Sequence, residues 1–215
     1  GLKAPEDYYF FVKGSLEYFS SAYMQIIRLQ REESLIENNW YFVVACYPMA
    51  DSLYMPLLLS SIMPRDSQQE MQSKMKLVNQ FVDIFINRRT LSDRSVNQST
   101  IRRKVFEIIK KIRNVSYDDL QVILSDEIQK LKCDYSVVLN QGGFSSNYLH
   151  YLLARFIFYE KNNVKFSSLL RTRKRNSMVL CQIFSEEEWI DMGLDKSGCT
   201  CWSTVNYCLC PRQES

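Results

Sequence analysis

The chain closes on two pairs of cysteines, Cys199 with Cys201 and Cys208 with Cys210, each pair split by one residue. On a strand, alternate residues share a face, so each pair would present both thiols to one side. Two such pairs can close a tetrahedral zinc site, although structural zinc more often takes a two-residue spacing on a turn. Free, partly buried thiols and an adventitious disulfide are the alternatives at the same positions. Cys46, Cys133 and Cys181 are scattered among apolar neighbours and are expected as reduced core residues.

Basic residues form the second candidate. Arg88, Arg89, Arg94, Arg102, Arg103, Lys104, Lys110, Lys111 and Arg113 crowd one stretch against only Asp93 and Glu107, and Arg171, Arg173, Lys174 and Arg175 lie in the run RTRKR. Such side chains neutralise phosphates and give salt-dependent affinity for duplex DNA that ignores its sequence. A blander reading of the first cluster is a solvated helix face, with counter-charge from Asp118, Asp119, Asp126 and Glu127. His150 is the one histidine of the chain, without a histidine, cysteine or acid at ligand spacing, and reads as a structural residue. Asp83, on an apolar stretch, is expected to be buried against an arginine, because an unpaired buried carboxylate is costly.

These residues need elements to hold them. Phe10, Phe11, Gly14, Tyr18, Phe19, Ala22, Tyr23, Ile26 and Ile27 follow one helical face over residues 6–32, with Pro5 near the first turn. Further helices are expected over about 36–47 and 51–62. Ser67 is a candidate cap for a helix through Arg89 that buries Met71, Met75, Val78, Phe81, Val82 and Phe85. TLSDRSVNQST reads as a loop. Ile101, Val105, Ile108, Ile109 and Ile112 mark the next helix. Ser116 opens another, with Leu120, Ile123, Leu124, Ile128 and Leu131 as its stripe. Ser145 or Ser146 opens a last one to about Asn162. MVLCQIF and TVNYCLC read as two strands around an acidic turn of Glu186, Glu187, Glu188, Asp191 and Asp195. The expected fold is mainly α, a multi-helix orthogonal bundle over 1–170 with a short β-hairpin-containing C-terminal tail over 171–215.

Bulk composition narrows the class. With 215 residues, 46% hydrophobic and 24% charged, a sizeable core is affordable in an ordinary globular chain. Six glycines and five prolines argue against a β-rich or loop-rich fold, and a formal charge of +3 implies no partner by itself. Residues 40–63 are the most apolar stretch, but Pro48, Asp51 and Pro56 interrupt it, so two buried helices and no membrane span are expected. GLKAPEDYY lacks the basic and apolar regions of a secretory signal, which sets a cytoplasmic location as the expectation. Opening on Gly1 without a methionine is expected of either an excised fragment or the scar of a removed tag.

Residues 76–114, KLVNQFVDIFINRRTLSDRSVNQSTIRRKVFEIIKKIRN, resemble the middle of the GmrSD-like family, bacterial modification-dependent restriction and phage-defence proteins. The resemblance rests on Phe81, Asp83, Phe85, Arg88, Arg89, Ile112 and Arg113, and on HYLLARFIFYEK, which looks like a later core helix of the family. It spans roughly residues 70–190 and includes no single clinching motif. It implies a helical middle region between an N-terminal nucleotide-binding domain, missing here, and a C-terminal HNH-type nuclease. No phosphate-binding loop is present to carry nucleotide hydrolysis over. The family's nuclease opens on Glu-hydrophobic-Glu-His-Ile; the matching residues here are Val179, Leu180, Cys181, Gln182 and Ile183. Gln182 in the catalytic histidine's place cannot take a proton from water at neutral pH. Asn206 stands near where the family has an asparagine on its second strand, shifted or lost. The tail is therefore expected to be a degenerate nuclease start or simply a hairpin finishing the helical core. The implied role is a scaffold that engages DNA without catalysing. Two rivals are a helical protein-interaction module, docking a partner or a second copy through Tyr8, Tyr9, Phe10, Phe11, Tyr18, Phe19 and Tyr23, and a metal nuclease with rearranged ligands.

Overall fold

The computed structural model describes residues 2–31, 49–92, 94–131, 146–160, 169, 178–193 and 207–211. Helix α1 (Pro5–Phe10) passes through a π-helical turn (Phe11–Leu16) into α2 (Glu17–Arg31) without leaving helical backbone angles. Pro5 at the start supplies a fixed φ and no N–H to orphan. Asp7 reaches back, its Oδ2 accepting from the backbone N–H groups of Lys3 at 2.9 Å and Ala4 at 3.0 Å. These bonds, Ala4's foremost, hold its carboxyl below the ordinary value.

Helix α3 (Asp51–Ser60) buries Leu53, Tyr54, Met55, Leu57 and Leu58. Pro56, which breaks the apolar run, lies inside this helix, within the span 51–62 expected to be helical. An internal proline costs about 3 kcal/mol. Burying three leucines, at roughly 1.5–3 kcal/mol each, more than offsets it. Helix α4 (Gln68–Leu91) is capped by Ser67, whose Oγ accepts from the Glu70 N–H at 3.2 Å. The expected stripe from Met71 to Phe85 is buried, Phe81 and Phe85 stacking at 5.7 Å between ring centroids, and Asp83 is buried with it. Helix α5 (Gln98–Ile112) packs on α3 and buries Ile101, Val105, Ile108, Ile109 and Ile112. Asn114, at φ 59°, turns the chain in the left-handed region that asparagine tolerates best after glycine. Ser116 then caps α6 (Tyr117–Gln129), its Oγ accepting from the Asp119 N–H at 3.1 Å.

Two compact units emerge. The first holds α1, the π-turn, α2, α3, α4 as far as Ile86, α5 and α6. The second takes the end of α4 from Asn87, helix α7 (Ser146–Glu160) and the tail. Within it, Tyr148 donates to Asn87 Oδ1 at 3.0 Å. The tail is an antiparallel pair, β1 (Met178–Gln182) with β2 (Tyr207–Pro211), lying against α7. The chain is thus mainly helical with a small C-terminal hairpin, as expected. The expected boundary between residues 170 and 171 lies outside the described residues. Residues 186–191, read as an acidic turn, instead form a short helix α8 (Glu186–Asp191). Ser185 and Glu188 make a reciprocal capping box, and three acids suit the positive helix start. Gly193, at φ 70°, ends it. Among the described residues no helix is long and apolar enough to cross a membrane.

Candidate functional site

The N-terminal rod departs most from a packed helix. Its expected stripe is buried only at Ala22 and Ile26; Phe10, Phe11 and Tyr23 are exposed. No residue of α1 or of the π-turn is buried, although these segments carry Tyr8, Tyr9, Phe10, Phe11, Val12 and Leu16. Phe10 is 70% exposed and Tyr9 60%. The 3.6-residue period places apolar groups around the whole circumference, whereas a surface helix keeps them to one stripe. A π-turn inside an α-helix is rare and is found frequently at functional sites.

The basic cluster divides. Arg102 and Arg103 are exposed on α5; Arg102 lies over the Phe106 ring at 5.9 Å, and Arg103 approaches Glu107 at 3.6 Å. Lys104, Lys111 and Lys130 converge instead on the buried carboxylate of Glu127, Lys111 at 2.7 Å and Lys130 at 3.2 Å. Burial by itself raises that carboxyl's pKa, but the hydrogen bonds from Lys104, Lys111 and Lys130 prevail and hold it at about 2. Glu127 thus supplies the counter-charge the blander reading expected for part of this cluster. Arg171, Arg173, Lys174 and Arg175 lie outside the described residues.

An ion pair that the sequence gave no sign of lies in the first unit. Lys74 Nζ reaches Asp66 Oδ1 at 2.9 Å and Oδ2 at 3.0 Å, with the lysine side chain fully buried. Asp66 Oδ2 also accepts from the Met63 N–H at 2.8 Å, so the carboxylate ties the α3–α4 connection to the long helix. Tyr18 has a buried hydroxyl without a hydrogen-bond partner among the described residues. Burial first, then the Asp66 and Glu70 carboxylates, push its pKa up.

On the hairpin, Cys208 and Cys210 share a face with sulfurs 3.6 Å apart, as alternate strand residues should. Cys181 was expected as a core residue, but it is half-buried on that same face. The register puts it directly opposite Cys208, a relation that strand pairing alone decides. Burial and hydrogen bonding raise the Cys208 thiol; hydrogen bonding to Cys210, then burial, raises that of Cys181. Cys199 and Cys201 lie outside the described residues, as do Cys46 and Cys133. Among the described residues no three metal-ligating side chains are grouped to hold an ion. Gln182 ends β1, exposed, opposite Tyr207 and on the other face from the thiols. Asn206 lies outside the described residues. The buried His150 has Nε2 2.7 Å from the Leu169 carbonyl oxygen, which accepts, a contact that suits a structural residue.

No family model, no curated protein and no solved structure matches this chain.

Proposed function

We propose that the chain is a helical protein-interaction module that docks a protein partner through α1 and the π-turn. The observation behind this reading is the run Tyr8 to Val12, apolar on every side of a helix in which no side chain is buried. A helix that is apolar all round belongs inside something, and clustered exposed aromatics mark interaction sites on soluble proteins. The test is photo-crosslinking in cells from benzoylphenylalanine at Tyr9, with Val122 on α6 as an equally exposed control site. The expected result is a discrete adduct from position 9 and none from position 122. Equal yields from both positions, or no adduct from position 9, would overturn the reading.

A second reading keeps the GmrSD-like resemblance, with the chain as the DNA-engaging helical middle of a restriction protein. It is favoured by the exposed Arg102, Arg103, Lys110 and Arg113 on and just after α5. Duplex binding by fluorescence anisotropy should then weaken with salt. Replacing Arg102 and Arg103 with Ala should lower the slope of log affinity against log salt by about 2, roughly one per phosphate contact. Alanine at Arg171, Arg173, Lys174 and Arg175 should lower it further. No binding at low salt removes this reading and leaves the first.

A further inference from the structure

We infer that Cys181 and Cys208 are a cross-strand redox couple, closed by exchange with a low-molecular-weight disulfide such as oxidised glutathione into a bond that pins β1 to β2.

The strand register chooses the pair. Cys181 on β1 stands directly opposite Cys208 on β2, and residues so placed have their side chains on one face. Facing Cα atoms of an antiparallel pair lie about 4.5 or 5.5 Å apart, inside the roughly 4.4–6.8 Å that a disulfide spans. Cys210 shares the face, and its sulfur is 3.6 Å from that of Cys208, but backbone geometry keeps it out of the bond. Two residues apart along one strand, Cα atoms are about 6.6 Å apart with parallel side chains, too stretched for the roughly 4 Å between Cβ atoms that a disulfide needs. Cys181 and Cys210 are diagonal neighbours, at about 7–8 Å. A slip of one residue in the register would send Cys208 to the opposite face, so the couple exists only in the observed pairing.

Both thiols are free and half-buried, within reach of a small reagent. One of them, as thiolate, attacks a sulfur of the disulfide RSSR. A mixed disulfide forms, and RS⁻ leaves and takes up the proton that the thiol gave. The second thiol loses its proton and attacks the protein sulfur of the mixed disulfide, expelling another RS⁻, which is protonated in turn. The protein loses two electrons and two protons, and RSSR becomes two RSH. Both thiols are held above their ordinary values, Cys181 by its hydrogen bond with Cys210 foremost and Cys208 by burial. The reduced pair therefore has no stabilised thiolate to give up on closing, the reverse of couples that oxidise strongly because their reduced form is stabilised. Among the described residues β1 and β2 are each other's only strand partners, and two strands alone are marginally stable. Tying them across the intervening chain takes freedom from the open state.

The full chain is incubated with oxidised glutathione, alkylated with N-ethylmaleimide, digested and mapped by mass spectrometry. The expected product is a peptide pair joined through Cys181 and Cys208, lost on treatment with dithiothreitol, with Cys210 alkylated. Cys210→Ser should leave this link in place. Cys181→Ser should leave Cys208 as a mixed disulfide with glutathione, its partner being gone. Amide hydrogen exchange in β1 and β2 should slow about tenfold or more in the oxidised protein, because opening the hairpin then regains less entropy. Cys181 and Cys208 both alkylated after the incubation, Cys208 joined instead to Cys199, Cys201 or Cys210, or hairpin exchange unchanged by the bond would each overturn the inference.

Discussion

Replacing Lys74 with Ala should destabilise the first unit by about 3–5 kcal/mol, the cost of breaking a buried ion pair from one side. The lysine side chain has no solvent exposure and the Asp66 side chain 2%, so neither charge can turn to water without local opening. Removing Lys74 leaves a buried carboxylate that still accepts from the Met63 N–H and has Glu70 close by, since Lys74 also reaches Glu70 at 3.4 Å. Urea unfolding followed by circular dichroism measures the effect, with the midpoint falling and the slope unchanged. The double variant Lys74→Met with Asp66→Asn should recover much of the loss, because an apolar and neutral replacement removes the desolvated charges together. A loss below about 1 kcal/mol in Lys74→Ala would mean that the pair is hydrated and behaves as a surface bridge.

Stability should also fall as acid protonates Glu127. Its ordinary value is 4.5 and its value in the fold is about 2. A folded pKa below the unfolded one means the unfolded chain binds the proton first as pH drops. The contribution is therefore fully present above about pH 4.5 and is lost as pH falls towards 2. The carboxylate is buried, but Lys111 and Lys130 are half-exposed and Lys104 about a third, so solvent screens the attraction. A contribution of about 1–2 kcal/mol follows once that screening is taken into account. Glu127→Gln should lose this amount at pH 6 and show a flatter stability profile between pH 4.5 and 2 than wild type. Parallel profiles for the two proteins would show that Glu127 is not held by its lysines. The same variant releases three cations, so any duplex binding should strengthen with it.

Helix existence was legible in the sequence wherever periodicity was strong. The stripe from Met71 to Phe85, the isoleucines of α5 and the Ser116 cap are local patterns whose meaning does not depend on what packs against them. Of the residues that carried the family resemblance, Phe81, Asp83, Phe85 and Ile112 are buried, whereas Arg88 and Arg89 are half-buried and Arg113 is exposed. A core requirement is enough to account for the four buried ones. Local chemistry misled at residues 186–191, where a capping box turns an acidic stretch into a helix.

The sequence by itself determined that the segments of α2 to α7 are helical, that Cys208 and Cys210 would share a face if on a strand, and that Glu127 was available as counter-charge. Tertiary structure alone decided that Lys74 meets Asp66, that Cys181 joins the thiol face, and that Glu127 draws Lys104, Lys111 and Lys130 together while Arg102 and Arg103 stay in water. It also decided that Phe10 and Tyr9 lie on the surface while Ile26, on the same continuous helix, lies in the core. Periodicity reports which side of an element is apolar. Whether that side meets a neighbour depends on where the rest of the chain ends up, and no window of sequence contains that information.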